Sequence, residues 1–111
     1  MTGVHMAQSV LTELFAVIEQ RKGASADDSY TAKLLAGGPA LAGRKVTEEA
    51  VETLIAALSE PDEAVVNEAA DLIYHLLVVL AARDIGLEQV TDELKRRFGL
   101  SGLVEKASRD T

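Results

Sequence analysis

Apolar positions recur along this chain at helical spacing. Leu11, Leu14, Phe15 and Ile18 follow the i, i+3, i+4, i+7 rhythm of one helix stripe, and Glu13, Glu19 and Gln20 fall off it. This predicts a first helix over residues 9–21, with Ser9 as N-cap and Gly23 as the stop. A second main helix is expected over 43–59, ahead of Pro61, with Val51, Leu54, Ile55 and Leu58 as its stripe. A third is expected over 62–82, opening on Asp62 and Glu63, where acids suit the positive end of the helix dipole. A fourth is expected over 87–98, with Leu87, Val90, Leu94 and Phe98 in line and Lys95, Arg96 and Arg97 in its last turn.

Between the first two main helices, residues 24–43 read as a connector. Residues 29–35 have room for one or two helical turns before Gly37, Gly38 and Pro39. So long a connector in a small domain is often functional. No stretch alternates with the period of a strand. The expected fold is therefore all-α, a four-helix bundle over residues 8–98 followed by a tail at 99–111.

The third helix is apolar nearly all round from Leu72: Ile73, Leu76, Leu77, Val78, Val79 and Leu80 leave it no polar face. Such a helix is buried on every side. Four helices from one short chain can hardly enclose one of their own, so the core is expected to be completed by dimerisation. The run at residues 72–82 is shorter than the about 20 residues that span a bilayer, so no membrane partner is expected. No basic, apolar leader opens the chain, which reads as a cytoplasmic protein.

Composition narrows the chemistry. The 111 residues suit one domain, and the absence of cysteine removes disulfides and thiolate metal sites. The net charge is −7, with eight acids against three bases in residues 44–83. That balance, with only four scattered aromatics, argues against nucleic acid as a partner.

The acids are patterned. Glu48, Glu49 and Glu52 span about a 100° arc at the edge of the second helix's apolar stripe, with Glu48 close in angle to Ile55. Glu68 and Asp71 share a face at i, i+3 and run straight into the most apolar helix. On neighbouring helices these five carboxylates could converge, and such a cluster persists only if protons or cations neutralise it. Oxygen-only donors select hard cations: Mg²⁺, Mn²⁺ or Ca²⁺. Mg²⁺ is usually shared with substrate phosphates, and Lys33, Arg44 and Lys45 could grip phosphate oxygens. The plainer alternatives are a solvated acidic face, and Arg44 and Lys45 simply paired with nearby glutamates.

Three segments together carry a resemblance. Ser29-Tyr30-Thr31 with Lys33-Leu34, then Arg44-Lys45-Val46 with Glu48-Glu49-Ala50 and Glu52, then Glu68-Ala69-Ala70-Asp71-Leu72 with Tyr74-His75, resemble the phosphoribosyl-ATP pyrophosphatase family. This family sits in the MazG-like all-α nucleotide pyrophosphohydrolase superfamily, which includes dimeric dUTPases. The acid pairs mark only the superfamily; Ser-Tyr-Thr and Asp-Leu-x-Tyr-His narrow it. Two positions depart from the family pattern: Thr47, a candidate N-cap, stands where Gly is usual, and Arg44-Lys45 where Lys-Lys is frequent.

The resemblance implies hydrolysis of the α–β phosphoanhydride of phosphoribosyl-ATP to phosphoribosyl-AMP and pyrophosphate, the second step of histidine biosynthesis. It implies Mg²⁺, with Mn²⁺ as an alternative, and a homodimer or larger homo-oligomer. On this reading Glu49, Glu52, Glu68 and Asp71 hold metal, and Glu48 is the candidate general base, with roles exchangeable among the three glutamates. Ser29, Tyr30, Thr31, Lys33, Arg44 and Lys45 bind substrate. Tyr74 and His75 read as core residues, His75 hydrogen-bonding Asp71. The rival readings are a house-cleaning (d)NTP pyrophosphatase of the same fold and a non-catalytic helical dimer.

Overall fold

A computed structural model describes the backbone of residues 2–98 and the side chains of residues 10–98; the expected tail at 99–111 lies outside the described residues. Five helices follow one another: α1 (Thr2–Gln20), α2 (Tyr30–Ala36), α3 (Gly38–Ser59), α4 (Asp62–Ala82) and α5 (Leu87–Phe98). Among the described residues there is no strand, so the all-α expectation holds.

Two boundaries differ from the sequence reading. α1 begins at Thr2, which places Ser9 inside the helix and not at its cap. α3 begins at Gly38 instead of residue 43. Pro39 sits in its first turn, where the fixed φ suits a helix start and the missing N–H has no intrahelical partner to lose. Thr47 is consequently mid-helix, its hydroxyl donating to the Gly43 carbonyl at 3.2 Å, and is no N-cap. The long connector shrinks to residues 21–29, because α2 runs almost directly into α3.

The α2–α3 corner depends on two glycines. Gly37 closes α2, and a Cβ there would stand 2.7 Å from Leu41 Cβ. Gly38 has φ +73°, which L side chains disfavour. Gly38→Ala should therefore cost about 1–2 kcal/mol, read as a lower urea midpoint at unchanged slope. Unchanged stability would mean that the corner relaxes without strain.

α3 and α4 form the main antiparallel-type seam, α1 packs on α4, and α2 bridges α3 and α4. The core joins Phe15 and Ile18 of α1, Leu34 of α2, Ala42 of α3 and Leu77, Val78 and Ala81 of α4. Lys22 Nζ meets Asp84 Oδ1 at 2.7 Å and ties the turn after α1 to the end of α4. By length and composition the whole of α4 could cross a membrane, which the shorter 72–82 run understated. Here it is the central helix that α1, α2 and α3 all touch.

The stripe on α3 is not where the chain's own core lies; of the α5 stripe, Leu87 packs against the core while Leu94 and Phe98 stay exposed. Val51, Leu54, Ile55 and Leu58 are exposed; Leu54 is 58% and Ile55 48% accessible. On the opposite side of the helix, Ala42 and Ala56 are buried and Val46, Glu49 and Thr53 half-buried. Small side chains let α3 approach α4 closely, so this weakly apolar face wins the intrachain seam. On α4, Ile73 and Leu76 also stay accessible. Helix α4 is thus enclosed towards its C-terminal half, at His75, Leu77, Val78 and Ala81, but not on every side within one chain. α5 buries none of its residues.

Candidate active site

The α3–α4 seam places the acids. Glu49 lies on the inward face of α3 and is half-buried, while Glu48 and Glu52 are exposed on the arc leading round to the apolar stripe. Opposite them α4 presents Glu68, half-buried, and Asp71, exposed. One carboxylate oxygen each from Glu49, Glu68 and Asp71 lies within 4.8 Å of the others. Glu52 is close enough to Glu68 to share a hydrogen bond. Three of the four acids assigned to metal therefore converge, and Glu52 interacts with Glu68 beside them. Glu48 stands beside them with Lys45 Nζ at 3.5 Å from its Oε1.

The donor chemistry suits a hard divalent cation. Glu49 Oε1 and Glu68 Oε1 are buried and have no hydrogen-bond partner among the described residues. Unpaired carboxylate oxygens are costly to bury, and clustered like charges raise that cost. Glu52 is held above its ordinary pKa by its hydrogen bond and charge interaction with Glu68. Glu68 is held above its own by burial, with Glu49 and Asp71 adding repulsion. Oxygen-only donors, two of them orphaned, are the coordination that Mg²⁺ or Mn²⁺ accepts.

These raised values carry a sign. The native state binds more protons than the unfolded chain, so the stability contributed by Glu52 and Glu68 is present at low pH. It is lost as pH rises above the ordinary carboxyl value of 4.5. In EDTA the contribution of this pair should fall between about pH 5 and about pH 7. Calorimetric melting of the chain and of Glu52→Gln at both pH values isolates it: the variant gains on the parent at the higher pH. An equal offset at both would remove the pair as the cause.

The basic side chains separate. Lys45 is half-buried and pairs with Glu48, as the plainer reading of that residue expected. Arg44 and Lys33 are exposed and enter no ion pair among the described residues. Ser29 caps α2, its Oγ accepting from the Ala32 N–H at 3.0 Å. The Tyr30 hydroxyl is 2.9 Å from His75 Nε2, and the Thr31 hydroxyl bonds the Tyr74 hydroxyl. The Tyr30 phenol is held above its ordinary pKa by burial, partly offset by Lys45, with smaller contributions from Tyr74, Glu49 and Glu48.

His75 donates from Nδ1 to the Asp71 main-chain carbonyl at 2.8 Å, not to its carboxylate. Sequence reasoning foresaw the i, i+4 bond but not the partner across 45 residues. No periodicity links positions so far apart.

Comparison with known proteins completes the description. Residues 11–98 match the profile of the phosphoribosyl-ATP pyrophosphohydrolase family. A protein of Dinoroseobacter shibae named phosphoribosyl-ATP pyrophosphatase is 55% identical over 101 residues, covering 91% of this chain and 99% of that protein. One of the same name from Trichlorobacter lovleyi is 55% identical over 102 residues, 92% of this chain and 94% of the relative. Another, from Agrobacterium fabrum, is 50% identical over 106 residues, 96% and 99% of the two chains. The acids that converge at the α3–α4 seam lie within the matched span, and the chain belongs to the phosphoribosyl-ATP pyrophosphohydrolase family.

Proposed function

We propose that this chain hydrolyses the α–β phosphoanhydride of phosphoribosyl-ATP, releasing phosphoribosyl-AMP and pyrophosphate in the second step of histidine biosynthesis. The observation that carries this reading is near end-to-end identity of 50–55% with relatives named for that activity. The carboxylate cluster supplies a site suited to the chemistry. The setting is cytoplasmic.

Glu49, Glu52, Glu68 and Asp71 would hold Mg²⁺, with Mn²⁺ as the alternative. When bound, the cation supplies water activation and neutralises charge developing on the phosphate oxygens. The chain's own groups do the rest. Water adds at phosphorus, the bridging oxygen departs with its electron pair, and the water's proton passes to a carboxylate. Glu48 is the candidate acceptor: it is exposed at the rim, beside the cluster. Glu49 and Glu52 are the alternatives. Arg44 and Lys33, exposed and unpaired among the described residues, would take phosphate oxygens, and Lys45 would exchange its contact with Glu48 for one. The Ser29-Tyr30-Thr31 turn would meet the nucleotide.

The working unit is a homodimer. Val51, Leu54, Ile55 and Leu58 on α3, with Ile73 and Leu76 on α4, leave more large apolar side chains in water than scattered surface residues account for. A second copy is the occupant that buries both faces at once.

Purified protein with Mg²⁺ should release pyrophosphate from phosphoribosyl-ATP far faster than from any dNTP. The reverse order would move the assignment to a house-cleaning nucleotide pyrophosphatase, and release from neither would leave a non-catalytic helical dimer.

A further inference from the structure

The Ser29-Tyr30-Thr31 turn is tied into the fold more tightly than a recognition loop requires. α2 has only seven residues and buries two of them, Ala32 and Leu34. A helix so short has little stability of its own, so its place depends on tertiary ties. Consecutive α2 residues are bonded to consecutive α4 residues: Tyr30 to His75 and Thr31 to Tyr74. Neighbouring positions on a helix point about 100° apart, so the two ties fix the rotation of α2 as well as its position.

The rings reinforce this. Tyr30 and Tyr74 stack with centroids 6.3 Å apart, and His75 meets both edge-on at 5.8 and 4.9 Å. A carbonyl oxygen can only accept, so His75 Nδ1 carries a proton, and Nε2 is the ring atom left to meet the Tyr30 hydroxyl. His75 is 5% accessible, whereas Tyr30 is 50% accessible. Burial therefore holds the imidazole, and the imidazole holds the phenol.

We infer that His75 is a positioning residue for substrate binding: by fixing the Tyr30 hydroxyl it sets α2 against α3. Its role is not that of a metal ligand or a proton carrier. The inference rests on the proposed hydrolysis for its kinetic effect, but the tie between the helices stands independently of the substrate.

Three variants of the full chain test it. His75→Asn reaches as far as Nδ1, keeping a donor for the Asp71 carbonyl but losing the contact to Tyr30. His75→Gln carries its amide out to the Nε2 position and restores that contact. Tyr30→Phe removes the other partner at a half-exposed site. With phosphoribosyl-ATP and Mg²⁺, His75→Asn and Tyr30→Phe should each raise KM about tenfold, the scale of one lost hydrogen bond, with kcat changed less than about twofold. His75→Gln should recover most of the KM, and the double variant Tyr30→Phe/His75→Asn should be no worse than either single. Amide exchange in residues 30–36, followed by mass spectrometry, should quicken in His75→Asn and Tyr30→Phe but not in His75→Gln.

Effects that multiply in the double variant, a fall in kcat at constant KM, or unchanged KM and exchange in Tyr30→Phe would overturn the inference. If His75→Asn does not fold, Tyr30→Phe decides it. If the parent protein does not turn over phosphoribosyl-ATP, the functional reading fails, and exchange in α2 still decides the positioning role.

Discussion

Asp71→Asn should reduce kcat/KM for phosphoribosyl-ATP by at least about a hundredfold and weaken Mg²⁺ binding in the same preparation. Asp71 is exposed at the surface of α4, with an oxygen within 4.8 Å of Glu49 and Glu68 oxygens. Its amide replacement is nearly the same size, so the helix and seam persist. What goes is one formal negative charge in a set proposed to hold a dication. A cation that offsets phosphate charge is worth several kcal/mol in the transition state, and about 1.4 kcal/mol corresponds to tenfold. Calorimetric titration with Mg²⁺ and single-turnover release of pyrophosphate read the two effects separately. The site assignment collapses if metal affinity and turnover both stay near those of the parent. Loss of turnover with intact metal affinity would move Asp71 from ligand to another role.

Leu54→Glu should convert the proposed homodimer to a monomer at micromolar concentration, seen as a halved mass by light scattering or sedimentation. Leu54 is 58% accessible in the single chain, so a glutamate there disturbs little within the subunit. Across a two-fold interface the same position counts twice. Each copy loses roughly 1.5–3 kcal/mol of apolar burial and must in addition desolvate a carboxylate. Several kcal/mol in total corresponds to at least about a thousandfold in dissociation constant. Helix content should be retained in circular dichroism, which separates lost assembly from unfolding. A parent protein that is itself monomeric at high concentration would end the dimer proposal, and the open apolar face would then need another occupant.

Much of this protein is legible in its sequence, for local reasons. The extents of α4 and α5 follow from capping residues, Pro61, Gly86 and the spacing of apolar positions, all of which act within a turn or two. The acids declare themselves because i, i+3 and i+4 neighbours must share a face on any helix. Glu49 with Glu52, and Glu68 with Asp71, are therefore legible as pairs on their own helices.

What the sequence could not decide is which face of α3 turns inward. Hydrophobic contrast favours Val51, Leu54, Ile55 and Leu58, yet the chain's own seam uses Ala42, Val46, Glu49, Thr53 and Ala56. Periodicity reports that a stripe will be buried but not against what. Close approach to α4 is decided by side-chain size, a property of the packed pair. Nor could it show that α3 starts at Gly38 or that Tyr30 lies on His75. The first depends on a left-handed glycine and a proline acting together at a corner. The second joins residues 45 apart, brought together only once α2 folds back across α4. Local rules set the helices and the acidic pattern on them. Only packing of helix on helix decided which acids converge, which apolar face stays open, and which phenol the buried imidazole holds.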